Sequence, residues 1–435
     1  METPSTTRRT FVRKSTATAS TLALAPQFVH SAPDNEIKLG LIGCGGRGTG
    51  AAAQAMNAGD EIKLVAVCDV DRKIAGEKVE LLSRQKPDQV SVAPEKIFSG
   101  FGDYKNVIAE SDVVILATSP GFRPLHFEEA VKQGKHVFME KPVATDVAGI
   151  KRVLAAGELA EQKNLKVGVG LQRRHQPTYR EFVKRIRDGQ IGDIKYLRAF
   201  WNGSSRPGKE RRDGETELEY QIRNWYYFTW LSGDHICEQH VHNLDVVNWV
   251  MGDQHPVRAQ GMGGREVRNL DINGQIYDHH FVEFEYADGT RMWSQSRQIP
   301  NCWRSVSEHV TGTKGEADFE SRLFEIAGET PFQKRLRKGE DGHQLEHYPL
   351  FQAIRNDLPH NEARHGATAT MTAILGRMSN YSGQPVTWDD AMASDQKLVP
   401  DNLVDFNSNP PVFPDESGAY PVAVPGVSKP YEIWY

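Results

Sequence analysis

Apolar runs and charged, helix-periodic segments alternate along the first 170 residues of the chain. The apolar runs are rich in β-branched residues, which is typical of strands buried on both faces of a parallel sheet. Strands are predicted at 37–42, 63–68, 113–117, 136–139 and 166–170, and helices at 71–85, 125–133 and 146–164. This alternation predicts an α/β fold that begins with a doubly wound parallel sheet.

Beyond Gly170 the strands become longer, and apolar and polar positions alternate within them. Such alternation predicts an open, mainly antiparallel sheet with one solvated face, in a C-terminal α+β domain. Asp288-Gly289 indicates a hairpin turn in it. Residues 202–226 are polar and aperiodic, and a loop of that length is expected to be a lid or disordered. The strands are predicted at 194–201, 257–263, 280–286 and 290–298, and the helices at 178–188, 363–380 and 388–394.

The chain of 435 residues is long enough for two hydrophobic cores. Its net charge of -5 gives no electrostatic case for nucleic acid, and no apolar run is long enough to span a membrane. Its four cysteines lack the spacing of a zinc knuckle or a disulfide framework. The predicted segments are a signal at 1–32, a dinucleotide-binding domain at 33–170, a substrate-binding domain at 171–345, helices packing back on the first domain at 346–400, and an extended arm at 401–435.

The N-terminus carries the pattern of a twin-arginine signal. Arg8 and Arg9 precede an apolar residue and a small-residue segment at 15–25, and cleavage is expected near Ala32. Twin-arginine export carries folded proteins, so we expect a periplasmic or cell-envelope location. A disordered basic tail is the alternative interpretation.

A glycine-rich turn follows the first strand directly. Gly43, Gly45 and Gly48 have the G-x-G-x-x-G spacing, which permits a tight turn, close approach of a pyrophosphate and close helix packing. The second strand ends at Asp69, about twenty residues later, where an acid can bind the adenosine ribose. Together these features predict a Rossmann dinucleotide site. Asp69 favours NAD because its charge would repel a 2′-phosphate. Arg72 lies nearby in the sequence and could bind that phosphate, so NADP is the alternative cofactor.

Two further stretches carry candidate chemistry. Lys141 follows the strand at 136–139, so it lies at the carboxyl end of the parallel sheet and can donate to a reacting oxygen; a solvated loop lysine is the alternative. Residues 232–249 are predicted to be helical, which places Glu238, His242 and Asp245 on one face. A histidine between two carboxylates is oriented and has its pKa supported, as a general base requires.

His240 points elsewhere on such a helix, so it is either structural or binds substrate across a kink. Metal ligation by His240, His242 and Glu238 is disfavoured because histidines two positions apart face away from each other, and no metal is expected.

The glycine motif, Asp69 and the tripeptide Glu140-Lys141-Pro142 resemble the glucose–fructose oxidoreductase/inositol dehydrogenase (Gfo/Idh/MocA) family over residues 37–394. The resemblance implies that Lys141 is catalytic beside the nicotinamide. It also implies that Thr118-Ser119-Pro120, with His126, lines the cofactor groove, and that the open sheet carries the substrate cleft or a subunit interface. Where the family has an aspartate four residues before the histidine, this chain has Glu238, which is longer by one methylene.

These features predict an exported oxidoreductase that moves a hydride between tightly bound NAD and a secondary alcohol of a sugar, glycoside or polyol. His242, supported by Glu238, would take the alcohol proton, and Lys141 would stabilise the alkoxide. A redox glycosidase, which returns the hydride after releasing an aglycone, and a non-catalytic sugar sensor are the alternatives. A homo-oligomer formed through the open sheet is also expected.

The candidate site residues divide by role. Arg223 and Trp225 close the polar segment with groups suited to a sugar. Asp278, His279, His280 and Arg297 either reach the cleft or have a surface role. The predicted substrate-binding residues are Arg174, His175, Arg223, Trp225, His240 and Asp245. The predicted cofactor-binding residues are Gly43, Gly45, Gly46, Arg47, Gly48, Asp69, Arg72, Ser119, Pro120, His126, Glu140, Lys141 and Gln172.

Overall fold

The computed structural model describes residues 36–435, so the signal predicted at 1–32 lies outside the described residues. Strands and helices alternate in its first part. The strands are β1 (Ile37–Ile42), β2 (Ile62–Asp69), β3 (Ile97–Ser99), β4 (Val113–Leu116), β5 (His136–Met139) and β6 (Val167–Val169). The helices are α1 (Gly46–Met56), α2 (Arg72–Gln85), α3 (Tyr104–Glu110), α4 (Arg123–Lys132) and α5 (Val147–Gln162).

These six strands form one parallel sheet in the order β3-β2-β1-β4-β5-β6. Successive residues of β4 enter different cores: Val113 and Ile115 join one cluster, and Val114 and Leu116 join another. The sheet is therefore buried on both faces, as its apolar runs predict. The strand order reverses at β1 and β4, and ligands bind outside the carboxyl ends of strands at such a point.

The second part is built on a larger sheet. Its strands are β7 (Ile194–Asn202), β8 (Arg258–Gly264), β9 (His279–Glu285), β10 (Arg291–Arg297), β11 (Ser305–Gly312), β12 (Gly315–Glu320), β13 (Leu323–Gly328), β14 (Phe332–Arg335) and β15 (Val386–Thr387). Its helices are α6 (Pro177–Arg187), α7 (Glu217–Arg223), α8 (Thr229–Ser232), α9 (His235–Glu238), α10 (Val241–Val250), α11 (Gly342–Leu345), α12 (His347–Asn356), α13 (Ala363–Ser382) and α14 (Trp388–Ala393).

The nine strands lie in the order β14-β13-β12-β11-β7-β10-β9-β8-β15, and only β7 and β10 pair in parallel. One face packs on α10 and α13 and buries residues such as Leu197 and Phe284. Positions of the opposite face, such as Trp293 and Gln295, remain partly exposed. The predicted α/β fold, with a parallel sheet followed by an open and mainly antiparallel one, is confirmed.

Two segments differ from the sequence-based expectation. Residues 202–226 are not irregular throughout, because they contain α7, whose first turn is capped by Thr216. The helix predicted at 232–249 is three helices, and its main break falls at Gln239 and His240. Glu238 and His242 consequently lie on different helices.

The C-terminal segment has no helix or strand after α14, and it is packed against the protein. Leu398, Val412 and Tyr420 are buried in one apolar cluster. Asp146, which caps α5, also accepts the Leu398 N–H at 2.6 Å. The domain boundaries drawn from the sequence stay predictions. In the described part of the chain, no helix is long and apolar enough to cross a bilayer.

Candidate active site

The glycine turn between β1 and α1 has one closed and one open side. Gly43 has a φ of +94°, and a Cβ there would lie 2.5 Å from the Thr118 nitrogen. A Cβ at Gly48 would lie 2.0 Å from the Gly43 oxygen, so both positions require glycine. A Cβ at Gly45 or Gly46 would meet nothing within 4 Å. The turn is thus closely packed against the protein at Gly43 and Gly48. At Gly45 and Gly46 it leaves space for a pyrophosphate to approach the start of α1.

Asp69 ends β2 beside this turn, and its Oδ2 accepts the Cys44 N–H at 2.7 Å. Burial raises the pKa of Asp69, while hydrogen bonds from main-chain N–H groups oppose that shift. Arg72 donates to the main-chain oxygens of Pro94, at 3.0 Å, and Ile97. Its guanidinium is therefore already engaged by main-chain carbonyls, which weakens the case for a 2′-phosphate ligand.

A small cavity of about 40 Å³ opens next to Asp69, with Phe101 and Phe122 among its lining residues. Ser119 and Pro120 begin the short 3-10 turn that carries Phe122. His126 lies behind the turn, with its Nδ1 3.3 Å from Thr118 Oγ1, and burial lowers the pKa of His126 to about 3. The neutral His126 thus supports Thr118.

An ion pair connects the start of α1 to the loop after β5. Glu140 is buried, and its Oε1 lies 2.9 Å from Arg47 Nε. Gln172 begins the 3-10 turn after β6, and its Oε1 is buried without a hydrogen-bond partner among the described residues. An unpaired buried acceptor is costly, so Gln172 is placed to receive a donor from a bound molecule.

Lys141 and Glu238 meet across the two halves of the protein. Lys141 Nζ donates to the Glu238 main-chain oxygen at 2.5 Å and lies 3.3 Å from Glu238 Oε1. The side chains of this pair are only 14% and 9% exposed, so water screens the contact weakly. Gln239 donates to the other carboxylate oxygen. The Glu238 carboxylate is therefore the ion-pair partner of Lys141.

His242 lies in the first turn of α10 and is almost fully buried, with its ring 6.0 Å from that of Trp201 at an interplanar angle of 27°. Its Nδ1 has no hydrogen-bond partner in the described part of the chain. Burial, followed by the charges of Lys141 and Arg173, holds the pKa of His242 well below its usual value. The imidazole is therefore neutral at physiological pH and able to accept a proton.

The expected support of His242 by two carboxylates is wrong. Asp245 binds Arg174, with 2.9 Å between Arg174 Nε and Asp245 Oδ1, and Glu238 binds Lys141. The helix break at Gln239 and His240 removes the i, i+4 relation on which that expectation depended. The pKa of His242 is lowered instead of supported.

Several predicted substrate-binding residues have partners within the protein. His175 Nε2 lies 3.1 Å from Glu362 Oε1. His240 is fully buried, with Nε2 2.7 Å from Ser294 Oγ, in agreement with the structural alternative for this residue.

The two residues chosen from the polar segment also meet other residues of the chain. Arg223 Nε donates to Glu215 at 2.5 Å, and Trp225 is half-buried with the Arg206 guanidinium 5.8 Å from its ring. None of the predicted substrate-binding residues is shown to touch a ligand, so their roles stay predictions.

Sequence reasoning missed Arg123, which donates to Pro142 O at 2.5 Å and to Thr118 O at 2.7 Å. It joins the cofactor loop to the lysine loop. One sequence signal could have found it: a cation in the first turn of a helix is unfavourable with the helix dipole and so suggests a specific partner.

Arg173 was also missed. It forms a buried ion pair with Glu308, and its guanidinium lies 5.9 Å from the Trp201 ring. A cavity of about 370 Å³ opens beside it, with Gln172 and His343 in its lining. Gln172, one of the predicted cofactor-binding residues, and Arg173 therefore share the wall of this cavity.

Comparisons with known proteins agree with this geometry. Residues 37–171 match the Gfo/Idh/MocA oxidoreductase family model, described as an NAD-binding Rossmann fold, and residues 179–318 match the Gfo/Idh/MocA C-terminal domain. Inositol 2-dehydrogenase of Burkholderia multivorans is 30% identical over 260 residues, which are 59% of this chain and 66% of that protein. The match thus spans just under two thirds of that relative.

Solved structures share the fold. Aldose-aldose oxidoreductase from Caulobacter crescentus, complexed with glycerol, has a TM-score of 0.65 at 17% identity, over 81% of this chain and 99% of that chain. Levoglucosan dehydrogenase, in complex with NADH and levoglucosan, has a TM-score of 0.65 at 15% identity with the same two coverages.

Proposed function

Because this chain belongs to the Gfo/Idh/MocA family of NAD-binding oxidoreductases, we propose that it oxidises or reduces a secondary alcohol of a carbohydrate or polyol. The observation that carries this proposal is the contact of Lys141 with Glu238 at the carboxyl end of the parallel sheet. The names of the similar proteins, which are dehydrogenases and oxidoreductases of inositol, levoglucosan and aldoses, support the substrate class.

The residues fit NAD on three counts. The open side of Gly45 leaves room for the pyrophosphate, the Asp69 carboxylate can accept from the ribose hydroxyls, and Gln172 Oε1 can accept from a carboxamide. When bound, NAD supplies the acceptor of the hydride.

Lys141 orients the reacting oxygen. An ammonium group has three N–H donors, and two of them point at Glu238 O and Oε1. The third is left for the substrate oxygen, where the positive charge stabilises the alkoxide as it forms. Glu238 thus fixes the direction in which Lys141 donates.

His242 takes the proton in this proposal. It enters the reaction neutral, because burial and the charges of Lys141 and Arg173 disfavour its imidazolium form. An unprotonated imidazole has a free lone pair for the hydroxyl proton of the alcohol as the hydride leaves its carbon. Because its low pKa makes His242 a weak base, the transfer also depends on Lys141, whose charge stabilises the alkoxide.

We also propose that the Arg8-Arg9 signal exports the folded protein with NAD retained. Support comes from the arm: the Phe406 ring packs on Phe101 at 5.4 Å, and Phe101 packs on Phe122 at 6.3 Å. Phe101 and Phe122 line the cavity beside Asp69, so the arm covers the adenosine side of the site. A nucleotide held there would leave slowly.

The test is NADH formation by the purified full-length protein over a panel of polyols and glycosides. Lys141→Met and His242→Ala should each lower turnover by about 10²–10⁴ while NAD still binds. Lys151→Met, which changes a partly exposed lysine on α5, is the matched control and should leave turnover unchanged. A near-normal rate in Lys141→Met or His242→Ala would remove the role assigned to that residue.

A further inference from the structure

Three buried side chains converge at the start of α9, outside the site described above. Asp234 directly precedes α9, His235 is the first residue of α9, and His280 lies on β9. All three are buried, and their potential ligand atoms lie within 4.8 Å of one another.

The two imidazoles are arranged as metal ligands usually are. His235 Nδ1 lies 2.7 Å from Ser296 Oγ, and His280 Nδ1 lies 2.9 Å from the Asn380 side-chain amide. Both Nε2 atoms are buried. His235 Nε2 makes no hydrogen bond within residues 36–435, and His280 Nε2 faces only the Asp234 carboxylate. Histidine ligands of metals typically bind a protein group through one nitrogen and the ion through the other.

The His280 tautomer can adapt to an ion. Asn380 Oδ1 is buried and has no hydrogen-bond partner in the described part of the chain. A half-turn of the Asn380 amide would present this oxygen to the His280 Nδ1–H group, which leaves the Nε2 lone pair free.

The spacing suits an ion of the size of Zn²⁺. His280 Nε2 is 3.2 Å from Asp234 Oδ2, and His235 Nε2 is 3.9 Å from Asp234 Oδ1. These distances involve the two different oxygens of the carboxylate. Two ligand atoms at about 2.1 Å from a tetrahedral ion stand about 3.4 Å apart, so each pair needs a shift of about 0.5 Å or less to match that spacing.

The carboxylate of Asp234 is held firmly in place. Its Oδ2 accepts from Tyr381 OH at 2.5 Å and from the Tyr277 N–H at 2.9 Å. Asp234 also has a φ of +72°, a backbone conformation that residues other than glycine rarely adopt. Such conformations persist where the surroundings enforce them, often at functional sites.

We propose that Asp234, His235 and His280 bind one divalent cation of the zinc class, with water or another small donor completing the coordination. The ion fixes the first turn of α9, and α9 ends at Glu238, which holds Lys141. This makes Asp234, His235 and His280 positioning residues for the lysine. The sequence predicts no metal, and the ligand set that it disfavours, His240, His242 and Glu238, is a different one.

Elemental analysis of full-length protein, purified without a metal-affinity tag, tests this inference first. We expect one zinc-class ion per chain in the wild type and a large loss of that ion in His280→Gln. His240→Gln is the matched control, because it also changes a fully buried, hydrogen-bonded histidine but leaves the cluster complete. It should keep the ion.

Thermal unfolding and cobalt spectroscopy provide readouts independent of activity. A chelator should lower the Tm of the wild type, and Zn²⁺ should restore it, while His280→Gln should respond to neither. Co²⁺-loaded wild type should show visible absorption bands of a tetrahedral site, which decides the matter even if His280→Gln fails to fold. Wild-type protein that contains no ion and shows no Tm response and no cobalt bands would overturn the proposal. Asp234 would then be a buried carboxylate stabilised by its hydrogen bonds and by the nearby charges of Arg268 and His280.

Discussion

Asp69→Asn should change the preference between NAD and NADP without disturbing the glycine turn. Asparagine keeps one oxygen for the Cys44 N–H, which Asp69 now accepts at 2.7 Å. It removes the charge, and it replaces the second oxygen, which accepts the Asp71 N–H at 3.3 Å, with an NH₂ donor. A hydrogen bond to a charged group contributes about 1.5–3 kcal/mol and one between neutral groups about 0.5–1.5 kcal/mol. The loss is thus about 1–1.5 kcal/mol for each ribose hydroxyl bound by Asp69.

For two hydroxyls the loss is about 2–3 kcal/mol, so NAD should bind about 30- to 150-fold more weakly to Asp69→Asn. NADP should bind at least as well as before, because the repulsion of its 2′-phosphate is removed.

Burial raises the pKa of Asp69. NAD affinity in the wild type should therefore fall as the pH is lowered through that raised value, and this acid dependence should disappear in Asp69→Asn.

The assay is titration calorimetry of both nucleotides on protein stripped of bound nucleotide. Asp69→Ala should weaken both nucleotides, since it also removes the acceptor for the Cys44 N–H and loosens the turn. Arg72→Gln is the control for the charge and should change neither affinity, because the guanidinium is held by main-chain oxygens. An equal loss of NAD and NADP affinity in Asp69→Asn would refute the ribose assignment.

Three other predictions follow from the same geometry. The pKa of His242 lies well below its usual value, so kcat/KM should stay level as the pH falls past 6.5; an acid limb near that pH would contradict the neutral buried base. The protein should purify with nucleotide that dialysis does not remove. Phe406→Ala should speed release of that nucleotide by uncovering Phe101, and release at the wild-type rate would show that the arm does not retain it. Trp293 and Tyr196 pack together, with ring centroids 5.1 Å apart, on the face of the open sheet opposite α10 and α13. Trp293→Glu should therefore shift the protein toward monomer in light scattering, and an unchanged mass, or a wild type that is itself monomeric, would exclude that face as the interface.

Five of the six strands of the first sheet could be predicted because they are apolar runs, and the carboxyl ends of these strands locate the glycine turn and Lys141. The three-residue edge strand β3 was not predicted. The strands β11 to β14 were not predicted. Glu316, Asp318 and Glu320 alternate with Ala317 and Phe319 in β12, and so short a strand between charged positions resembles a loop.

The helix break before α10 could not be read from the sequence either, because Gln239 and His240 are not helix breakers. Contacts distant in sequence leave no local signal. The Arg173–Glu308 pair joins residues 135 positions apart, and the Lys141–Glu238 pair joins residues 97 apart. In both cases the sequence supplies candidate charges, and only the fold shows which of them meet.

The pair of contacts between Lys141 and Glu238 has a stereochemical consequence. With two of the three ammonium hydrogens directed at Glu238, the remaining one points in a single direction. A hydroxyl group of one configuration can lie in that direction while its carbon presents hydrogen to the nicotinamide. The hydroxyl of the epimer lies on the other side of the same carbon and meets no donor. In the proposed reaction we therefore expect the protein to reject inversion at the reacting carbon more strongly than the loss of a neighbouring hydroxyl.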